Sequence, residues 1–357
     1  MAELDDLLAL DPFALSAADK APLFAAAVGQ LTRHHRDHCA DYARILDVLG
    51  FDADRPHGIE DFPFLPARLF KLRRLQSVTD DQVHKVLTSS GTSGQVPSRI
   101  VLDAATAALQ SRVLTRIVGD FIGKARLPML VIDAPGTVKG HNAFSARAAG
   151  ILGFSIFGRN PTYALNDRME LDWDNLDRFL AAHGGEPVLI FGFTFVIWQH
   201  FVQVLEKMGR RLNLDQAVLI HGGGWKKLAE QAVDDAGFKA GLVQVGGIRR
   251  IHDYYGMVEQ TGSIFMQCAA GRLHCPVQAD IVIRDAHLAP LPDGSRGLVQ
   301  LVSLLPKSYP GHLLLSEDEG TVIGVDDCPC GRPGKTFTIH GRTAMAEIRG
   351  CSDAAGG

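Results

Sequence analysis

Residues Thr88 to Arg99, reading Thr-Ser-Ser-Gly-Thr-Ser-Gly-Gln-Val-Pro-Ser-Arg, hold the densest group of side chains able to do chemistry. Four hydroxyls (Ser89, Ser90, Thr92, Ser93) and two glycines (Gly91, Gly94) fall in six consecutive positions. Glycine admits positive φ and close approach, so such a loop can turn several backbone N–H groups and hydroxyls toward one anion. A polyphosphate is the ligand this suits. A plain surface turn needs only two or three such residues, whereas four hydroxyls among glycines, ahead of the apolar run Ile100-Val101-Leu102, favour phosphate. The loop lacks the Gly-Lys-Ser/Thr of a Walker A sequence and the G-x-G-x-x-G spacing, which weighs against kinase and dinucleotide readings.

Two further stretches combine glycine with reactive or stacking groups. His221-Gly222-Gly223-Gly224-Trp225 offers bare backbone against which a flat ring or a phosphate can lie, more glycine than a tight turn requires. Asp253-Tyr254-Tyr255-Gly256-Met257-Val258-Glu259-Gln260 sets aromatics beside glycine and then an acid, a pattern able to stack a base and hold Mg²⁺ on Glu259. The cysteines form another constellation. Cys328-Pro329-Cys330 is a tight turn that brings two thiolates together, and Cys268 with His274 supplies soft ligands upstream. Four such groups suit a tetrahedral structural zinc, with Cys275 as the substitute for His274. Buried free cysteines are the plain alternative. His34 and His38, four apart beside Arg33 and Arg36, read as solvated or capping residues rather than metal ligands.

The chain that must position these groups has 357 residues, 46% hydrophobic and 21% charged, with a formal charge of −4. It has the length for two or three subdomains and no basic field for nucleic acid. No apolar run reaches membrane-span length, and the acidic start (Glu3, Asp5, Asp6) is unlike a signal peptide. A cytoplasmic location is expected, and six cysteines in so long a chain argue against a disulfide framework. Residues 38–49 carry apolar Tyr42, Ile45, Leu46 and Leu49 at helical spacing. Phe62-Pro63-Phe64-Leu65-Pro66 must run extended because of its prolines. Apolar runs at 127–132, 188–191 and 217–220 alternate with helical patterns over 104–118, 142–152, 173–183, 194–208 and 226–236. That alternation predicts a mostly parallel sheet with helices on its faces. From about residue 264 short strands such as 279–283 and 298–302 predict a smaller β-rich subdomain. The expected division is therefore 1–263, a helical N-terminus and α/β core; 264–345, a β-rich part with the zinc ligands; and 346–357, a tail. Phe191, Phe193, Phe195, Val196, Trp198 and Phe201 are candidates for an acyl-tunnel wall, or simply core.

Taken together these motifs resemble those of the adenylate-forming superfamily. Ser89–Gly94 is similar to its phosphate loop and Tyr255–Glu259 to its aromatic-Gly-x-x-Glu motif. Ser316-Glu317-Asp318-Glu319-Gly320 is similar to its ribose-binding acidic turn, and Gly341-Arg342 with Arg349-Gly350 to its hinge. Within the superfamily, Phe64-Leu65-Pro66, the Gly-Gly-Gly-Trp-Lys loop, Tyr-Gly-Met-Val-Glu-Gln, Cys-Pro-Cys-Gly-Arg and Glu347-Ile348-Arg349-Gly350-Cys351 resemble the LuxE-type acyl-protein synthetases, with phenylacetate-CoA ligases as neighbours.

The resemblance implies an α/β fold, the large domain of an adenylate-forming enzyme without its usual small C-terminal domain. It implies that a carboxylic acid, a fatty acid by family, attacks ATP to give acyl-AMP, which a thiol then captures. The implied ligands of ATP are Ser89, Ser90, Gly91, Thr92, Ser93 and Gly94 for phosphate, and Gly222, Gly223, Gly224, Tyr254, Tyr255 and Gly256 around the base. Asp318 would take the ribose hydroxyls, Arg342 the ribose or phosphate, and Glu259 magnesium. Where relatives carry lysine after the loop proline, this chain has Ser98 and then Arg99, so Arg99 is the stand-in, and Val258 replaces a common hydroxyl. Cys351 is the implied acyl-accepting thiol on the way to a reductase or carrier protein, with Cys39 as the lesser alternative. A CoA ligase and a silent nucleotide-binding subunit of a fatty-acid reductase complex are the competing readings.

Overall fold

The computed structural model describes residues 2–89, 97–139, 145–225 and 233–343. In chain order the helices are α1 (Ala2–Ala9), α2 (Ala17–His38), α3 (Ala40–Val48), α4 (Leu69–Leu72), α5 (Ala104–Ile122), α6 (Ala146–Phe154), α7 (Trp173–His183), α8 (Thr194–Ile197), α9 (Gln203–Met208) and α10 (Asp235–Gly246). The strands are β1 (Leu65–Pro66), β2 (Lys85–Thr88), β3 (Arg99–Leu102), β4 (Leu127–Ile132), β5 (Gly158–Tyr163), β6 (Leu189–Phe193), β7 (Val218–Gly222), β8 (Arg250–Tyr255), β9 (Phe265–Gln267), β10 (Leu273–His274), β11 (Ala279–Arg284), β12 (Arg296–Ser303), β13 (Leu313–Val325) and β14 (Lys335–Arg342). They group into two compact units. Among the described residues the first takes 2–118, 256–265 and 272–343, and the second 119–255 and 266–271. No helix among them is long and apolar enough to cross a membrane.

The second unit carries the expected parallel sheet, in the order β5-β4-β6-β7-β8. β6 and β7 are buried along their whole length, which is why they read as unbroken apolar runs instead of alternating ones. Alternation then sends successive side chains to opposite faces. Phe191 and Phe193 point toward α6, where Phe191 stacks on Phe154 at 4.6 Å and a Cβ on Gly150 would lie 3.1 Å from Phe193. Gly192 points the other way, against Ile197 of α8.

One helical expectation needed correction here. Residues 194–208 are not one regular helix: a π-turn over Trp198–Val202 separates α8 from α9. The wider turn seats Trp198 and Val202 on Gly241 of α10, where an added Cβ would lie 2.9 Å from each. Within the stretch expected as a helix over 226–236, α10 starts at Asp235, where Asp234 caps it by accepting from Gly237 N at 2.8 Å. Residues 226–232 lie outside the described residues.

The first unit holds the β-rich part, an antiparallel run β11-β12-β13-β14-β10. Its proline-broken segment is extended as expected: Leu65 is in register with Leu314 of β13, and Arg284 sits 4.4 Å over Phe64. A separate hairpin pairs β2 with β3. His34 and His38 are helical neighbours, and His38 Nδ1 donates to His34 O at 2.8 Å, a capping geometry.

One charged cluster was not legible in the sequence. Lys20 of α2 and Lys335 of β14 both reach Asp280 of β11, at 2.9 and 3.0 Å, and all three are largely buried. Burial by itself would raise the Asp280 carboxyl, but the two ammonium groups outweigh it and hold it well below the usual range. Lys20 also donates to the carbonyls of Pro276 and Ala279. Asp280→Ala would leave two buried cations without their anion, and a loss of about 3–5 kcal/mol is expected, measured by urea unfolding against Asp280→Asn.

Candidate active site

The hydroxyl loop closes on a short ladder. Thr88 of β2 is in register with Arg99 of β3, Ser98 N donates to Ser89 Oγ at 2.9 Å, and Ser89 N donates to Ser98 O at 3.3 Å. The hairpin thus holds both ends of the loop together, with Ser98 fully buried and Arg99 exposed beside it. Ser90, Gly91, Thr92, Ser93 and Gly94 lie outside the described residues, as does Cys351.

Glu259 lies on a single 3₁₀ turn, Val258–Gln260, and is 7% exposed. A carboxylate this buried needs compensation, from hydrogen bonds or from a cation. Its backbone carbonyl accepts from the Tyr309 hydroxyl at 2.8 Å. The neighbouring Gln260 Nε2 donates to Gly311 O at 2.8 Å.

The acidic turn and the residue assigned to the hinge come together in the same unit. Asp318 on β13 is directly in register with Arg342 on β14, and Arg342 Nε lies 3.8 Å from Asp318 Oδ1. Asp318 N donates to Ser316 Oγ at 3.1 Å, and Ser316 Oγ donates to Val299 O at 2.8 Å, so the turn is braced from β12. The Arg342 side chain is 46% exposed against 22% for Asp318. A half-exposed cation beside a partly exposed carboxylate leaves both able to reach a ligand.

In the second unit the glycine stretch falls at the carboxyl end of β7, the end at which parallel sheets bind ligands. A Cβ on Gly222 would sit 2.5 Å from the Tyr254 ring, and one on Gly223, at φ +77°, would sit 2.8 Å from Phe193. Gly224 meets nothing within 4 Å. Two of the three glycines are therefore demanded by neighbouring aromatics and the third leaves open backbone. Tyr254 is half-buried, with its ring 4.8 Å from Phe154, and desolvation raises its hydroxyl far above the ordinary range. Tyr255 ends β8 and Gly256 follows, in the first unit, with Ile264 against it.

Sequence reasoning missed two polar pairs on this rim. Thr194 Oγ1 lies 2.9 Å from His221 Nδ1, and burial lowers the imidazole to about 3, so it is neutral. Asp133, fully buried just past β4, accepts from Arg147 Nε at 2.9 Å and Thr137 Oγ1 at 2.5 Å. A single acid ending an apolar run, as Asp133 does, was the signal available for the second pair. Of the six residues read as an acyl wall, Phe191 and Phe193 face α6. Trp198 and Phe238 pack together at 6.2 Å near α10, so the six do not share one face.

The soft ligands of the first unit also converge. His274 Nε2 is 3.3 Å from Cys330 Sγ, and the ligand atoms of His274, Cys328 and Cys330 lie within 4.8 Å of one another. Bonds of about 2.1–2.3 Å to one ion require spacings of this kind. Cys275 lies outside that group, and burial first, and then the Asp280 carboxylate, push its thiol up to about 12. It is His274, and not Cys275, that lies in the group with these thiols. Cys268 is buried and belongs to residues 266–271 of the second unit. Cys39 is buried at the junction of α2 and α3, which weakens it as an acyl acceptor.

Comparison with solved structures defines the class. A 2-hydroxyisobutyryl-CoA ligase crystallised in an open conformation with 2-HIB-AMP and CoA superposes with a TM-score of 0.70, at 18% identity, over 93% of this chain and 76% of that one. The same ligase in its thioesterification state gives 0.70 over 93% and 70%. The fold is that of the adenylate-forming ligases. The particular family follows from sequence: residues 1–356 match the LuxE acyl-protein synthetases, and the chain belongs to that family. A long-chain-fatty-acid–luciferin-component ligase of Vibrio harveyi is 25% identical over 98% of this chain and 92% of its own length. Its counterpart from Aliivibrio fischeri is 25% identical over 84% and 79%. The protein is therefore an acid–thiol ligase that activates a carboxylic acid as its acyl-adenylate and passes the acyl group to a protein thiol.

Proposed function

We propose that the acid is a long-chain fatty acid and that the acyl group moves through Cys351 to an acceptor protein, a reductase or carrier. The relatives' names support the acid. The reaction has two steps. A carboxylate oxygen attacks the α-phosphorus of ATP, forming the acyl–phosphate bond as the bond to pyrophosphate breaks. A thiolate then attacks the acyl carbonyl, and AMP leaves.

The observation that carries the reading is the Asp318–Arg342 pairing. Two motifs distant in sequence, both tied by resemblance to the nucleotide, lie opposite each other on neighbouring strands. In this reading Asp318 accepts from the ribose hydroxyls and Arg342 supplies positive charge to ribose or phosphate. Ser89 to Gly94 and Arg99 hold the polyphosphate, Gly222 to Gly224 take the flat face of adenine, and Tyr254, Tyr255 and Gly256 shape its surroundings. Glu259 is the magnesium ligand; magnesium, when bound, neutralises charge that develops between the phosphates. His274, Cys328 and Cys330, with Cys268 as the fourth ligand on sequence spacing, hold a structural zinc. A thiolate at Cys351 beside Arg349 would be favoured by the nearby cation. Expression in the cytoplasm fits free thiols of this kind.

The test is acid-dependent pyrophosphate release from ATP and Mg²⁺ across fatty and aryl acids, followed by intact mass. Release with a hydroxylamine-labile acyl adduct that disappears in Cys351→Ser, while pyrophosphate release persists, is the expected result. Release that CoA discharges without any adduct would make the protein a CoA ligase. No release with any acid would leave a silent nucleotide-binding subunit.

A further inference from the structure

Glu259 sits on one 3₁₀ turn, too short to hold its own geometry. What holds it is the stretch from Pro306 to His312, which is anchored on several sides within the first unit. His35 Nε2, fully buried, lies 3.0 Å from Pro306 O, and Ser77 N donates to Ser308 O at 2.7 Å. Two adjacent side chains then reach in different directions. Ser308 Oγ donates to Val101 O of β3 at 2.9 Å, while the Tyr309 hydroxyl donates to Glu259 O at 2.8 Å. Both residues are fully buried, and the Tyr309 ring stands edge-on to Phe70 at 5.8 Å. Gly311 completes the arrangement. A Cβ there would collide with the Tyr309 ring and lie 3.1 Å from Glu259 O, so the close approach depends on glycine. Gln260 Nε2 clamps the same turn to Gly311 O.

Val101 belongs to the strand that leaves the hydroxyl loop, and Glu259 is the proposed magnesium ligand. We propose that Ser308 and Tyr309 form a two-residue tie fixing the distance between strand β3 and the Glu259 turn, and that Tyr309 is a positioning residue for metal–nucleotide binding. This rests on Glu259 holding magnesium. Glu259 would hold magnesium tightly beside a polyphosphate on the hydroxyl loop only if its turn is preset relative to β3; otherwise binding would have to supply the ordering. Tyrosine suits the task because its ring is locked by packing and its hydroxyl, raised by burial, stays a donor.

The test is binding of Mn²⁺ in the presence of ATP, followed by the EPR signal of the free ion, in wild type, Tyr309→Phe, Ser308→Ala and Glu259→Gln. Melting curves and the KM for acid are recorded alongside. Tyr309→Phe keeps the ring and removes one hydrogen bond, so Mn²⁺ affinity is expected to fall about fivefold, with the KM for acid unchanged. Ser308→Ala is expected to weaken Mn²⁺ similarly, and it carries the test if Tyr309→Phe does not fold. Unchanged Mn²⁺ affinity in both variants, with a clear loss in Glu259→Gln, would overturn the tie and leave the role of Glu259 standing. Unchanged affinity in Glu259→Gln, or no Mn²⁺ binding by wild type, would overturn both. A parallel loss of metal affinity, acid KM and melting temperature would mark Tyr309 as merely structural and overturn the proposal.

Discussion

Glu259→Gln is expected to slow acid-dependent pyrophosphate release about a hundredfold or more, with the loss only partly recovered at high magnesium. The substitution is nearly isosteric and the residue is 7% exposed, so packing is kept while one negative charge goes. Its backbone carbonyl remains held by Tyr309 and its neighbour Gln260 remains clamped to Gly311, so the turn itself should persist. In the proposed reading, what disappears is the anion that would hold magnesium, whose charge would offset the charge developing on the phosphates. Steady-state pyrophosphate release across a magnesium titration, with melting curves as the folding control, measures it. A rate within threefold of wild type would remove Glu259 from the chemistry.

Loss of the proposed zinc is the second large effect. Structural zinc in small thiolate sites contributes on the order of 10 kcal/mol to folding, and here it would tie β10 to the Cys328–Cys330 turn. The same turn lies near the chain's start: the ring of Phe13 is 5.9 Å from that of His274, Arg332 sits over Phe13, and Val277 N donates to Pro12 O at 2.7 Å. Purified protein is expected to carry about one zinc per chain. A strong chelator, or Cys328→Ser, is expected to lower the melting temperature by about 10 °C or more and to expose the N-terminal helices to protease. Cys275→Ser should keep the metal, because that thiol lies outside the group formed by His274, Cys328 and Cys330. Zinc content measured by mass spectrometry together with unchanged melting under chelator would remove the structural role, and absence of any bound metal would remove the site.

Much of the fold was legible because it is written locally. The run 127–132 is a strand and 173–183 a helix with the bounds that periodicity predicts, since spacing of apolar residues reports a buried face whatever lies against it. The prolines at 63 and 66 set an extended segment for the same local reason. Where tertiary contacts intervene, periodicity loses. The helix over 194–208 acquires a π-turn that seats Trp198 and Val202 on Gly241, while Phe191 and Phe193 of β6 lie against Gly150 of α6.

By itself the sequence determined the hydroxyl loop ahead of an apolar run, the parallel and β-rich parts, the glycine stretch at a strand end and the Cys-Pro-Cys turn. Each is specified by backbone chemistry within a few neighbouring residues: glycine where φ or approach demands it, hydroxyls in a turn, alternation in a strand. Only the tertiary structure decided that His274 and not Cys275 joins the thiols, that Asp318 faces Arg342, that Lys20 and Lys335 share Asp280, and that Ser308 and Tyr309 link β3 to Glu259. These depend on register and on which side of a strand or turn a side chain leaves. A shift of one residue reverses that direction, so pairs set far apart along the chain meet only once the whole sheet has chosen its alignment.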